Sequence, residues 1–233
     1  MSKEKQDLNK ELIKELTNYK VDREKIENLI QQGADANHAT QSGLNPILIA
    51  AQKGYNQIVD LLLSKNANPN VSGTKNRTPL ILAIQSGHLD TAELLIEKGA
   101  DVNHEAKYGL TPLHIAAQKG YNQIVDLLLN NNANPNVSNQ NKQTPLLLAT
   151  QNRHLDTAKL LIEKGADVNK VTLSGVAPIH LAAQKGYNQI VDLLLSNNAN
   201  PNVSEPENRT PLILATQNGH LDTAKLLIDL KMF

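Results

Sequence analysis

Apolar residues recur at helical spacing in two short runs, and this pair of runs is repeated along most of the chain. In the copy that begins at Thr111, the first run is rich in small residues: Leu113, Ile115, Ala116 and Ala117. The second run forms a broader apolar stripe: Ile124, Val125, Leu127, Leu128 and Leu129. This spacing predicts two short helices per copy, each with one face in the core.

Residues that favour helix ends bound both runs. Thr111 suits an N-cap, and Pro112 suits the first helical position, where no backbone N–H is needed. Gly120 follows the first run, and glycine tolerates the left-handed conformation that often ends a helix. The second run stops at Asn132, and the residues 133–136 that follow predict an outward turn.

The unit repeats every 33 residues without insertion or deletion. One proline marks each copy: Pro46, Pro79, Pro112, Pro145, Pro178 and Pro211. The period is also doubled, because residues 52–63 recur unchanged at 118–129 and at 184–195. Copies this similar indicate recent tandem duplication or a designed array, in which each unit buries its apolar face against its neighbours.

Two stretches carry a resemblance to a known family. TPLHIAAQKGYNQIVDLLL at 111–129 and GHLDTAELLIEKGADVN at 87–103 resemble the ankyrin-repeat pattern. The resemblance implies an all-α ankyrin-repeat solenoid, with a helix-turn-helix and a projecting turn in each 33-residue period. We expect one ankyrin-repeat domain over residues 1–233. Within it, residues 1–41 form a degenerate N-terminal capping repeat and residues 42–233 form six repeats, the last truncated.

Two positions depart from the pattern of the copies. Arg153 stands where the other five full copies have glycine, and Ala177 stands at an N-cap position where four copies have threonine. Each is expected to cost about 1 kcal/mol, the first through left-handed backbone strain and the second through loss of a side-chain cap.

Composition and charge exclude several classes of function. The net charge is zero, with 23 basic and 23 acidic residues, so the chain lacks the basic surface typical of nucleic-acid binding. Cysteine is absent, which excludes disulfides and thiolate metal sites. No apolar run reaches the roughly 18 residues of a membrane span. We expect no nucleic-acid or membrane partner, and a cytoplasmic location, in the host cytoplasm if the protein is a secreted bacterial effector.

The seven histidines do not predict a catalytic or metal site. His88, His154 and His220 recur every 66 residues, too far apart along a stack to share a metal ion. We interpret them as turn histidines bonded to nearby backbone, and His114 and His180 as structural residues of the family pattern. No nucleophile–base constellation and no phosphate-binding loop is recognisable. We therefore predict no enzyme activity, no cofactor and no metal.

The resemblance also implies where a partner would bind. Ankyrin repeats usually contact their partners along the projecting turns and the concave face formed by the first helices. The copies differ mainly in those turns, which indicates either selection for a partner or relaxed constraint on loops. On the first helices, an invariant glutamine is followed by lysine in every second copy. One interpretation is that these residues contact a partner on the concave face. The alternative is that they are solvated positions kept identical by duplication. The predicted protein-binding residues are Lys53, Lys75, Arg77, Gln85, Lys107, Tyr108, Leu110, Gln118, Lys119, Asn141, Lys142, Gln151, Asn152, Gln184 and Lys185.

The predicted function is non-catalytic binding of a protein partner of unknown identity. One alternative is that the chain is the targeting or scaffold portion of a larger enzyme or of a secreted bacterial effector. Another is a structural protein that associates end to end, because the last copy keeps the apolar residues of an internal repeat. Whichever function holds, we expect the C-terminal end to be covered with Leu230, Met232 and Phe233 taking part, first by contact with a second chain and otherwise by folding back of the tail.

Overall fold

The computed structural model describes residues 2–41 and 43–229, and in these residues the secondary structure is helical with no strand. The described residues form fourteen α-helices: α1 Lys3–Thr17, α2 Arg23–Gln31, α3 Pro46–Lys53, α4 Asn56–Ser64, α5 Pro79–Gln85, α6 Leu89–Glu97, α7 Pro112–Lys119, α8 Asn122–Asn130, α9 Pro145–Gln151, α10 Leu155–Glu163, α11 Pro178–Lys185, α12 Asn188–Ser196, α13 Pro211–Gln217 and α14 Leu221–Asp229. Two short 3-10 turns, Thr74–Asn76 and Lys107–Gly109, lie between helix pairs. The all-α class predicted from the paired apolar runs is confirmed.

The helices pack into two compact units. The first unit ends at Lys107 and contains α1–α6, and the second begins at Tyr108 and contains α7–α14. Within each unit, the first helix of a pair packs against the first helix of the next pair, and second helices pack against second helices. This is how repeats that cannot bury their apolar faces alone share a core with their neighbours.

The predicted helix boundaries are confirmed by the capping geometry. In α9, the Thr144 side chain accepts a hydrogen bond from the Leu147 N–H at 3.2 Å, and Pro145 occupies the first position. At the end of α7, Gly120 takes φ 72° and its N–H donates to carbonyls of the last helical turn. Ala116 and Ala117 are fully buried, because these small side chains let the neighbouring first helices approach closely.

The first helix pair, α1 and α2, buries an apolar face and exposes a polar surface. Leu12 and Leu16 are fully buried, while most of the remaining α1 surface is polar and exposed. Glu15 is an unexpected member of this core, being buried although charged. Its carboxylate accepts hydrogen bonds from the Lys25 ammonium at 3.0 Å and from the Asp22 N–H at 3.2 Å. The bond from Lys25 holds the pKa of Glu15 below its usual value, which keeps the buried carboxylate charged and paired.

The two departures from the repeat pattern have different structural outcomes. Arg153 takes the predicted left-handed conformation, with φ 60°, but its guanidinium carbon lies 5.4 Å from the centroid of the Tyr187 ring. Such a cation–π contact is worth about 0.5–1 kcal/mol at an exposed site, which offsets most of the backbone strain. Ala177 provides no side-chain cap to α11, as predicted.

The last described repeat exposes apolar side chains more fully than the internal repeats do. Ile213 is 40% exposed, whereas the aligned Leu147 is buried. Leu221 and Ile228 are also largely exposed. The last repeat therefore carries the surface of an internal repeat, as its sequence predicted. Leu230, Met232 and Phe233, which were expected to cover this end, lie outside the described residues.

Candidate functional site

Histidines at the start of three second helices connect neighbouring repeats. His88, His154 and His220 each place Nε2 3.1–3.2 Å from the carbonyl oxygen of a glutamine 36 residues earlier, in the preceding repeat. The predicted role as backbone-bonded turn residues is confirmed, with the addition that the bonded carbonyl belongs to another repeat. In the part of the chain that the structure describes, no group of histidine and acidic residues is arranged to hold a metal ion.

A row of asparagines forms a second set of bonds between repeats. Asn136 donates from its side-chain amide to the Gly165 carbonyl at 2.8 Å and accepts from the Asp167 N–H at 2.7 Å. The same pair of bonds is made by three other asparagines: Asn37, Asn70 and Asn169. These bonds fix the turns that follow the second helices on a rigid frame within each unit.

His114 is buried in α7, the first helix of its repeat, and as a neutral imidazole it has a hydrogen-bond partner for each ring nitrogen. Its Nδ1 accepts from the Thr111 N–H at 3.2 Å, so the proton is assigned to Nε2, which lies 3.0 Å from the Gln143 carbonyl oxygen. Burial lowers the pKa of His114, and the bond to Gln143 opposes this only in part. Protonation of Nδ1 would also place its N–H group directly opposite the Thr111 N–H, which would break that hydrogen bond. His114 is therefore a structural group, as predicted.

The lowered pKa of His114 predicts that stability falls as the pH drops below about 6.5, the usual histidine pKa. Below that pH the unfolded chain binds a proton that the folded chain resists, so the free energy of unfolding decreases. We expect the urea midpoint to fall between pH 7.5 and 5.0, and to fall less in His114→Leu, since leucine occupies the aligned position 147. Equal pH dependence in the two proteins would contradict this assignment.

The predicted polar face of the first helices is exposed in the second unit but partly occupied in the first. Exposed positions of the second unit are Gln118, Lys119, Gln151, Asn152, Gln184 and Lys185. In the first unit, the Lys53 ammonium donates to the Thr17 and Asn18 carbonyls at the end of α1. Arg77 likewise donates to the Gln85 side chain at 3.2 Å and to Thr74. Lys53, Arg77 and Gln85 are half-buried, and the chain itself uses their polar groups.

Three successive turns of the second unit are joined by backbone hydrogen bonds. The Gln140 N–H donates to the Tyr108 carbonyl at 3.0 Å, and the Leu173 N–H donates to the Asn141 carbonyl at 3.1 Å. Tyr108 and Leu173 are 58% and 64% exposed, on either side of the middle turn. We call Tyr108, Asn141, Lys142 and Leu173 the turn patch. It places two large apolar groups, an amide and an ammonium on one connected edge.

Two members of the turn patch have strained backbone. Tyr108 takes φ 67° and Lys142 takes φ 56°, in the left-handed region that non-glycine residues other than asparagine rarely adopt. Asn76 and Asn208, aligned with Lys142, take the same conformation with a residue suited to it. A tyrosine and a lysine at such positions cost about 1 kcal/mol each, so stability alone would favour their replacement.

The sequence predicted most of the turn patch and missed Leu173. Tyr108, Asn141 and Lys142 were predicted to bind a partner, and the structure places them on adjoining turns. Leu173 is aligned with Gln41 and Lys107, so an apolar residue at a position otherwise polar was the available signal. Of the other predicted turn residues, Lys75 and Lys107 are exposed and Leu110 is half-buried.

The geometry of paired helices, connecting turns and a 33-residue period agrees with a family comparison. The family model for ankyrin repeats, which describes three copies of the unit, matches residues 14–106, 104–172 and 169–232. The chain belongs to the ankyrin-repeat family. Ankyrin repeats are generally protein–protein interaction modules, and the family is typically non-enzymatic. No curated protein matches this ankyrin-repeat chain.

The length and apolar character of each described helix can be compared with those of a membrane-spanning helix. Within residues 2–41 and 43–229, none of the ankyrin-repeat helices has both the length and the apolar character that a membrane crossing requires.

Proposed function

We propose that this ankyrin-repeat protein binds a protein partner through the turn patch and the adjoining first-helix positions of the second unit. The observation that carries the proposal is that two exposed residues with left-handed backbone, Tyr108 and Lys142, lie on turns joined by a backbone hydrogen bond. Residues held at a cost to stability on an exposed edge are typical of functional sites.

The chemistry of the turn patch supports a protein ligand. Tyrosine is among the residue types that supply most binding energy at interfaces, because it buries a large ring and keeps a polar hydroxyl. Leu173 adds a second apolar group, and Lys142 and Asn141 supply charge and hydrogen bonds at the rim. The first unit contributes less to the proposal, since Lys53 and Arg77 are already bonded within the chain.

Photo-crosslinking from the turn patch tests the proposal. A benzophenone side chain replaces Tyr108 in one protein and Leu173 in another, and each is irradiated in source-cell and host-cell lysates. A third protein carries the same group at Gln123, an exposed residue in the first turn of α8, as the matched control. We expect one common protein to be captured from positions 108 and 173 and not from 123. Capture that is equal at all three positions, or stronger at 123, would reject the turn patch as the binding surface.

A second candidate function, end-to-end self-association, is favoured by the exposed apolar residues of the last repeat. Ile213, Leu221 and Ile228 would form the contact, since large exposed apolar patches mark interaction sites. The mass of the chain in solution tests this candidate. A dimer that Leu221→Gln with Ile228→Gln converts to a monomer would support it, and a monomeric parent protein would reject it.

A further inference from the structure

An open cleft lies in the first unit between the turn that joins α1 to α2 and the beginning of α4. Its volume is about 380 Å³, and Tyr19, Lys20, Val21, Arg23, Tyr55 and Ile58 are among its walls. Each of these segments connects two helices of one repeat. The first helix α3 runs from its connecting turn at Asn45 to Gly54, so the cleft is a helix length away from the turns of that repeat.

The walls of the cleft combine aromatic rings with positive charge. Tyr19 is completely exposed, Tyr55 is half-buried, and Val21 and Ile58 complete an apolar floor. Lys20 and Arg23 form no ion pair with any described residue. None of the described residues that line the cleft is acidic. Two unpaired cations beside one exposed ring and one half-buried ring give the cleft a preference for a ligand that is both anionic and apolar.

One wall of the cleft is held in place by the cap. The Lys53 ammonium donates to the Thr17 and Asn18 carbonyls at 3.0 and 3.1 Å, and lies 5.6 Å from the centroid of the Tyr55 ring. The bonds therefore tie the α3–α4 loop to the end of α1, directly before Tyr19. A cleft whose walls are already fixed loses less entropy when it binds a ligand.

A second cleft, in the second unit, shows which features are special to the first. It has a volume of about 250 Å³ and is built on the same Tyr-Asn-Gln-Ile loop, here at 187–190. In this second cleft the Arg153 guanidinium lies 5.4 Å from the Tyr187 ring centroid, so the cation of the cleft already contacts a ring of the chain. The positions aligned with Tyr19, Lys20 and Arg23 are Gln151, Asn152 and Leu155. Of the two clefts, only the first has a fully exposed tyrosine ring and two cations without an ion-pair partner among the described residues.

We propose that the first cleft is a second protein-binding site, which takes an acidic peptide segment with an aromatic side chain between its carboxylates. The aromatic side chain packs on Tyr19 and Tyr55, and the carboxylates face Lys20 and Arg23. Aromatic pairing and charge-assisted bonds to arginine are strong and specific contacts. Two cations on a chain of zero net charge are too few to hold a nucleic acid. The site is separate from the turn patch, so either can fail without the other.

Fluorine NMR tests the proposal directly, because the chain has only five tyrosines and no tryptophan. The protein is labelled with 3-fluorotyrosine, and the five signals are assigned with single Tyr→Phe variants. The probe is the acetylated, amidated peptide Glu-Glu-Phe-Glu-Glu. We expect the signals of Tyr19 and Tyr55 to shift saturably, while those of Tyr121 and Tyr187, in the same loop sequence, do not. Equal shifts of Tyr19 and Tyr55 with Lys-Lys-Phe-Lys-Lys, or with Glu-Glu-Gly-Glu-Glu, would overturn the proposal. So would no shift with the acidic probe.

Matched double variants separate the cleft from general charge effects. Lys20→Ser with Arg23→Leu installs the residues that the aligned repeat carries at 86 and 89, so the fold tolerates them. We expect this variant to bind the acidic peptide at least ten-fold more weakly. The control is Lys3→Ser with Lys5→Ser, which removes the same charge from exposed positions of α1. Equal weakening by both pairs would mean that only net charge matters and would overturn the proposal.

Discussion

Gly120→Ala is expected to destabilise the second unit by about 2–4 kcal/mol, far more than its single added methyl group suggests. Gly120 has φ 72°, and an added Cβ would lie 2.5 Å from Nδ1 of His154. The His154 ring would have to move, and its bond to the Gln118 carbonyl at 3.1 Å would be lost. Urea unfolding followed by circular dichroism measures the loss.

Two further variants decide whether the contact between repeats causes this loss. Gly165 has φ 90° and no atom within 4 Å of an added Cβ, so Gly165→Ala isolates the backbone cost of about 1 kcal/mol. The second is Gly120→Ala combined with His154→Ala, which is expected to cost less than the sum of the two single changes. If Gly120→Ala costs no more than Gly165→Ala, the repeats do not depend on the glycine–histidine contact.

Tyr108→Asn combined with Leu173→Gln is expected to weaken partner binding by more than ten-fold without loss of stability. Both large apolar groups of the turn patch disappear, and hot-spot residues of this kind typically contribute about 2 kcal/mol or more. Asparagine accepts the left-handed conformation of position 108, and glutamine occupies the position aligned with 173 in the first repeat. Titration calorimetry with the partner captured by crosslinking, together with urea unfolding, measures both quantities.

The control for this variant removes apolar surface elsewhere in the second unit. Leu221→Gln with Ile228→Gln alters two exposed residues of α14, away from the three connected turns. Because these residues are also the candidate self-association contact, affinity is measured at a concentration at which the parent protein is monomeric. Partner affinity is expected to stay within two-fold of the parent protein. An equal loss in both variants would show that general hydrophobicity, and not the turn patch, drives binding.

Local signals in the sequence predict the fold well because each repeat carries them again. Threonine precedes the proline of most of these first helices, glycine follows most of them, and each of these helices spans about two turns. What the sequence could not give is the reason for the exception at position 153. Gly120 lies against a histidine of the next repeat, whereas Arg153 lies against Tyr187, which accepts a cation. That difference depends on which residue the next repeat presents, and so on tertiary contact.

The sequence predicts the region of the candidate site, but not which of its side chains can contact a partner. Divergence among the copies indicated the turns, and Tyr108, Asn141 and Lys142 indeed lie on adjoining turns. The strain at Tyr108 and Lys142 is a backbone property that residue types do not reveal. In the sequence, Lys53 and Arg77 do not differ from the other predicted polar residues. In the structure, Lys53 donates to a carbonyl at the end of α1 and Arg77 donates to the side chain of Gln85. These partners are set by the folding of the chain and cannot be identified from residue types alone.

Hydrogen–deuterium exchange of the protein with and without its captured partner tests the binding account most directly. The account predicts that the partner slows exchange in the three connected turns of the second unit, at residues 108–110, 139–143 and 171–176. It also predicts little change in the loops that join the helices of one repeat, at residues 120–122 and 186–188. Slowed exchange confined to those loops, with unchanged exchange in the three turns, would contradict the account.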